Sequence, residues 1–215
     1  MITTYHVTPC PPAEIGRNFM PITHFGDPRI GLFQAYRNIL HSEILPKKNN
    51  PNFIPYAKIY VYKVNLKNDF SVQVEDHGSP NALALLNCFR SRNFLRPNGK
   101  NLITDQEFYD FRDQYFNLIA TRDLGERATL PRRNRAAEII RSHDYDIVTY
   151  ENTNMGEING ISIFSNFFKT KFNFVPDGEE NQCYISLEET EATLLFEIDR
   201  TDIEKICKYN NFNVL

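Results

Sequence analysis

Strand-patterned segments occupy the two ends of this 215-residue chain, and helix-patterned segments fill its middle. That distribution describes an α+β domain rather than alternating βαβ units. Lys58 to Leu66 (KIYVYKVNL) is the clearest strand: Tyr60, Tyr62, Val64 and Leu66 share one face, while Lys63 and Asn65 wet the other. Short strands are also expected at residues 4–8 and 22–25, and where Phe70, Val72 and Val74 alternate with Ser71, Gln73 and Glu75. Late strands are expected at Ile147 to Tyr150, Ile161 to Phe164 and Thr193 to Ile198. Pro9 to Pro12 is a loop, because prolines supply no ladder donors.

Helix signals are equally local. Asp27-Pro28 reads as an N-cap followed by a first-turn proline, with Ile30, Phe33, Tyr36 and Leu40 at helical spacing behind it. Thr104-x-x-Glu107 is a capping box. Helices are further expected through Leu83 to Phe89, over Arg132 to Ser142 and from Thr201. One domain spanning 1–215, with a helical insertion over about 79–142, accounts for these elements.

Composition excludes several functions. A net charge of −3 gives no overall basic field to draw the chain to nucleic acid or anionic lipid. Cys10, Cys88, Cys183 and Cys207 show no CxxC spacing, so neither a zinc ribbon nor a redox motif is expected. Reduced thiols in an intracellular setting follow, and no metal site is expected. No charged n-region with an apolar h-region opens the chain, and no run is long enough to span a membrane. A soluble protein is expected, either cytoplasmic or delivered into a host cytosol without a cleavable N-terminal signal.

The candidate chemistry begins with His6-Val7-Thr8. An imidazole at a strand edge can bond a ribose hydroxyl, and the next residue's N–H and C=O can pair with a carboxamide. In Thr23-His24-Phe25-Gly26 the ring offers a stacking face, and Gly26 admits close approach of backbone to ligand. Tyr36 is a candidate second face for a nicotinamide. Arg17 and Arg29 flank these motifs, and Arg132-Arg133-x-Arg135 with Arg141 forms a basic run that reads either as a phosphate-holding patch or as a solvated helix face.

Tyr5-His6-x-Thr8, then His24-Phe25-Gly26 opening a helix, resembles the NAD-binding half of histidine-type ADP-ribosyltransferases. That group includes diphtheria-like toxins, poly(ADP-ribose) polymerases and many bacterial or phage effector domains. Val7 stands where those relatives usually carry glycine. His143 to Asn152 resembles their strand before the catalytic segment, and Glu157-x-x-Gly160-Ile161 parallels their acid just ahead of a strand. The resemblance implies a split β-sandwich with an NAD cleft, NAD as co-substrate and no metal. It implies a mono-ADP-ribosyltransferase acting on a macromolecular acceptor, protein rather than nucleic acid, in the manner of toxins and effectors. A catalytically inactive binding module of the same fold is the alternative.

Splitting the nicotinamide–ribose bond develops positive charge on the ribose, which a nearby carboxylate stabilises. Glu157 is the first candidate, Glu151 the second, and Glu191 of Glu189-Thr190-Glu191 the third. His6, Val7, Thr8, His24, Phe25, Gly26 and Tyr36 are the expected NAD-binding residues.

Overall fold

A computed structural model describes residues 1–49, 55–67, 70–75, 81–90, 95–96, 103–115, 125–153, 155–177 and 180–210. Among these the chain runs β1 (Ile2–Thr8), α1 (Pro12–Ile15), β2 (Asn18–Phe19), β3 (Thr23–Phe25), α2 (Pro28–Asn49), β4 (Lys58–Leu66) and β5 (Ser71–Val74). It continues through α3 (Ala82–Arg90), β6 (Leu95–Arg96), α4 (Asp105–Tyr115), α5 (Gly125–Arg141) and β7 (Ile147–Glu151). It ends with α6 (Met155–Phe172), β8 (Gln182–Ser186), β9 (Thr190–Asp199) and α7 (Arg200–Tyr209).

The strands form two sheets, ordered β1-β4-β9-β2 and β3-β8-β7-β5-β6. Three apolar clusters give the layering. Ile59 and Val61 of β4 and Ile198 of β9 pack against Leu32 and Phe33 of α2, Phe164 and Phe168 of α6 and Ile203 of α7. Tyr62, Val64 and Leu66, on the opposite face of β4, join Phe25 and Ile147 of the second sheet. Beyond that sheet, Val72, Val148 and Ile185 meet Leu85, Phe108 and Ile140 of α3, α4 and α5. The molecule is thus helix, sheet, sheet, helix. The α+β class is observed.

A bulge sets the phase of β9. Val61 pairs with Phe196, but Tyr62 pairs with Leu194, so Leu195 is an extra residue. Ala192 therefore faces the second sheet while Phe196 and Ile198 face the helices, although all three have even numbers.

Two helix starts follow their local signals. Asp27 Oδ1 accepts from the Arg29 amide at 2.7 Å. Thr104 and Glu107 bond reciprocally, with Glu107 Oε2 accepting from the Thr104 amide at 2.7 Å and Thr104 Oγ1 accepting from the Glu107 amide at 3.2 Å. One expected strand is corrected: Ile161 to Phe164 belongs to helix α6. The four-residue apolar run matched either period, and the wider window decides it. Phe164 and Phe168 are both fully buried at an i, i+4 spacing, which is the helical repeat.

Candidate functional site

The site lies where the edge strands of the two sheets, β1 and β3, approach each other. They touch through one antiparallel bridge, in which the Tyr5 amide donates to the Gly26 carbonyl at 3.1 Å and the Gly26 amide donates back at 2.9 Å. Thr4 Oγ1 also donates to that carbonyl at 3.3 Å. A Cβ on Gly26 would meet Cys183 Sγ at 3.3 Å and the Gln182 carbonyl at 3.5 Å, so the strand passes close over β8.

This bridge orients the rest of β1. Tyr5 spends both main-chain groups on the β3 side, so two residues later the N–H and C=O of Val7 point to the same edge. The Val7 side chain turns the other way. It packs against α2, where a Cβ on Gly31 would lie 2.8 Å from Val7 Cγ2. Val7 therefore offers the seam its backbone alone. Thr8 Oγ1 accepts from the Cys10 amide at 3.2 Å and shapes the turn after the strand.

His6 lies on the inter-sheet face. Its ring is 4.5 Å from that of Phe19 and 5.8 Å from that of Phe25, and Nδ1 is 2.7 Å from the His24 carbonyl oxygen. A carbonyl only accepts, so Nδ1 carries the proton and Nε2 is left as an acceptor. Burial pushes the imidazole pKa down to about 4; the bond to His24 opposes that shift, and the charge of Arg133 adds to it. His6 is neutral at pH 7.

His24 points elsewhere. Phe25 belongs to the inter-sheet cluster, and adjacent strand residues alternate faces. The His24 ring instead meets Tyr150, with Nδ1 and the hydroxyl 3.0 Å apart and ring centroids 5.8 Å apart. Tyr150 belongs to the cluster under α3, α4 and α5. The two imidazoles share a backbone junction, not a cleft.

The expected pairing of His24 with Tyr36 is therefore corrected. Tyr36 is only 6% exposed and packs with Leu32, Phe33 and Phe164 beneath the helices covering the first sheet. Two sheet layers separate it from the His24 ring. Its spacing from Ile30, Phe33 and Leu40 was a core stripe.

The acids separate by the same alternation. Ile147 faces the first sheet and Val148 and Tyr150 face the helices, which places Glu151 on the inter-sheet face with His6. Glu151 is exposed at the end of β7, opposite Gln182 of β8. Strands lie roughly 4.8 Å apart, so two spacings put it roughly 10 Å from the line of β3. Glu157 occupies the start of α6 rather than a turn before a strand, and its side chain lies outside the described residues. Glu191 is exposed on β9, paired with Asn18 beside Phe19.

The flanking arginines have distinct roles. Arg17 is exposed, and its carbonyl accepts from the Ala192 amide at 3.0 Å. Arg29 is structural: Nη2 bonds Asp27 Oδ2 at 2.6 Å and Glu180 Oε1 at 3.0 Å, and Nη1 donates to Ser165 Oγ at 3.0 Å. Burial alone would lower its pKa, and the two acids more than offset that. Arg133 of α5 reaches over the second sheet's edge, where Nη1 lies 3.4, 3.3 and 3.3 Å from the carbonyls of Pro21 and Ile22 and from Thr23 Oγ1. Ile22 there has φ 59°, left-handed for a β-branched residue, a strain of roughly 1–3 kcal/mol.

Tyr150 and Gln182 were not expected at the site, and β7 and β8 bring them to it; Arg133 was expected only within the basic run of α5. Two shallow depressions of about 750 and 380 Å³ lie beside α5, one lined by Phe70, Glu138, Arg141 and Asp144 and the other by Pro21, Ala137 and Leu187. Neither is lined by His6, His24 or Glu151.

Cys10, Cys88, Cys183 and Cys207 form no disulfide among the described residues. Among the described residues no group of three or more His, Cys, Asp or Glu is placed to hold a metal, and no helix is long and apolar enough to cross a membrane. No known protein family, curated protein or solved structure matches the chain.

Proposed function

We propose that the protein is an ADP-ribosyltransferase that cleaves NAD and transfers ADP-ribose to a macromolecular acceptor, a protein in preference to a nucleic acid. One observation carries the reading: at the open edge of β1 the His6 imidazole is neutral with its proton fixed on Nδ1, and the next residue turns its amide and carbonyl to the same edge. That arrangement suits NAD. His6 Nε2 accepts from a ribose hydroxyl, and the Val7 N–H and C=O pair with a carboxamide, which has both an acceptor and donors.

Glu151 is the acid of choice, because it alone of the candidates is seen at a strand end on the face that holds the His6 ring. Its carboxylate stabilises the ribosyl cation as the C–N bond breaks and the electron pair leaves with nicotinamide. The acceptor's lone pair then closes on C1′, and its proton passes to the carboxylate or to water.

The test incubates labelled NAD with lysate and compares wild type with Glu151→Gln and Glu157→Gln. Loss of label transfer and NAD hydrolysis in Glu151→Gln alone supports the assignment. Absence of turnover in the wild type, with no auto-modification, rejects it.

A second reading is a catalytically inactive member of the same fold that binds a partner. The His24 ring on the far face and the core position of Tyr36 favour it, since no nicotinamide sandwich forms between them. Calorimetry with no NAD binding, beside a stable protein partner, distinguishes this reading.

A further inference from the structure

Two arginines set into this fold come with acids. Arg29 has Asp27 and Glu180, and Arg200 has Glu43 and Glu204, each within 3.0 Å. Arg133 differs from both. It is half-buried, burial alone lowers its pKa, and no carboxylate pairs with it among the described residues. Its three contacts all fall on Nη1 at 3.3 Å or longer, leaving Nε and Nη2 without protein partners there. Holding a cation out of water without a counter-charge is unfavourable unless an anion arrives.

Position narrows the anion. Arg133 is close enough to His6 for its charge to act on the imidazole, and it is anchored at Thr23, the end of β3 away from Gly26. Glu151 lies in the strand row at the opposite, Gly26 end of the seam. The row order is therefore Arg133, His6, Glu151. A neutral acceptor beside an uncompensated guanidinium matches a group carrying a hydroxyl donor and an anion together. A sugar phosphate is such a group: its hydroxyl donates to His6 Nε2, and its phosphate oxygens accept from Arg133.

The geometry points to Arg133 as the phosphate-holding residue of a nucleotide subsite whose sugar is bound by His6, supplied by helix α5 and set apart from the bond-breaking acid. This rests on the His6 role proposed above and adds the anion it is paired with.

Calorimetric titration of the full chain with adenosine, 2′-AMP and 5′-AMP tests it, using wild type, Arg133→Gln, Arg133→Lys and Arg135→Gln. Arg135 pairs with Glu138 on the exposed side of α5 and serves as the control. At least one phosphate-bearing nucleotide is expected to bind roughly ten- to hundredfold tighter than adenosine, as one charge-assisted contact supplies. Arg133→Gln removes that advantage, Arg133→Lys keeps part of it, and Arg135→Gln keeps all of it. Thermal melts check that Arg133→Gln is folded at the titration temperature, since the change gives up the contacts to the Pro21 and Ile22 carbonyls.

Equal binding of adenosine and both nucleotides overturns the proposal, as does no binding of any of the three, or an advantage that survives Arg133→Gln. NAD turnover is a separate readout. Retained phosphate discrimination without turnover rejects the transferase and leaves this subsite standing, whereas turnover with no discrimination does the reverse.

Discussion

Replacing His6 by glutamine keeps a side-chain donor for the His24 carbonyl but removes the titrating ring. In the folded protein the imidazole is held down to about 4 by burial, with Arg133 adding to the shift. In the unfolded chain it returns to about 6.5. Between those values the unfolded state binds a proton that the folded state refuses, so stability is complete above pH 6.5 and drains away as pH falls toward 4. Integrating that difference from pH 7.5 to 4.5 gives a loss of about 2.5 kcal/mol in wild type that the glutamine variant escapes.

The assay is urea unfolding of both proteins at the two pH values. Carboxylates that titrate in the same window cancel in the double difference. An NMR titration of the His6 ring, with an expected midpoint near 4, reads the same quantity directly. A double difference under about 0.5 kcal/mol, or a midpoint near 6.5, would refute the picture of a half-buried ring with its proton fixed by a backbone carbonyl.

Two stability predictions accompany it. Tyr62 is 3% exposed, its hydroxyl has no hydrogen-bond partner among the described residues, and burial pushes its pKa up to about 12. Tyr62→Phe should raise stability by about 1 kcal/mol in chemical denaturation, because the unmet polar group disappears; a loss of stability would mean that the hydroxyl is bonded in solution. Gly31→Ala should destabilise by about 1–3 kcal/mol through the contact with Val7 Cγ2. In a Val7→Gly background, which removes both Val7 Cγ2 at 2.8 Å and Val7 Cβ at 3.1 Å, the same change should stabilise by about 1 kcal/mol, the ordinary helical preference. A sign that does not reverse between the two backgrounds rules out this packing of β1 on α2.

Short-range features were legible in the residues. The strand of Lys58 to Leu66, the Asp27 cap and the Thr104–Glu107 box each depend on neighbours a few positions apart, and each is present, although the face of the strand expected to be wet carries Ile59 and Val61 into the helical layer. The helix of Ile161 to Phe164 was legible only over a longer window, through Phe164, Phe168 and Phe172.

Tertiary structure alone decided what those features face. His24 meets a hydroxyl 126 positions away, and Arg133 meets carbonyls 111 and 112 positions away. Such pairings depend on which sheet edges come together, and periodicity within one strand carries no record of that. Alternation along β7 already separates Glu151 from Tyr150, but only the packing of Ile147 onto the first sheet says which of the two faces His6. Side-chain period is a property of a single strand, whereas a cleft is a property of two.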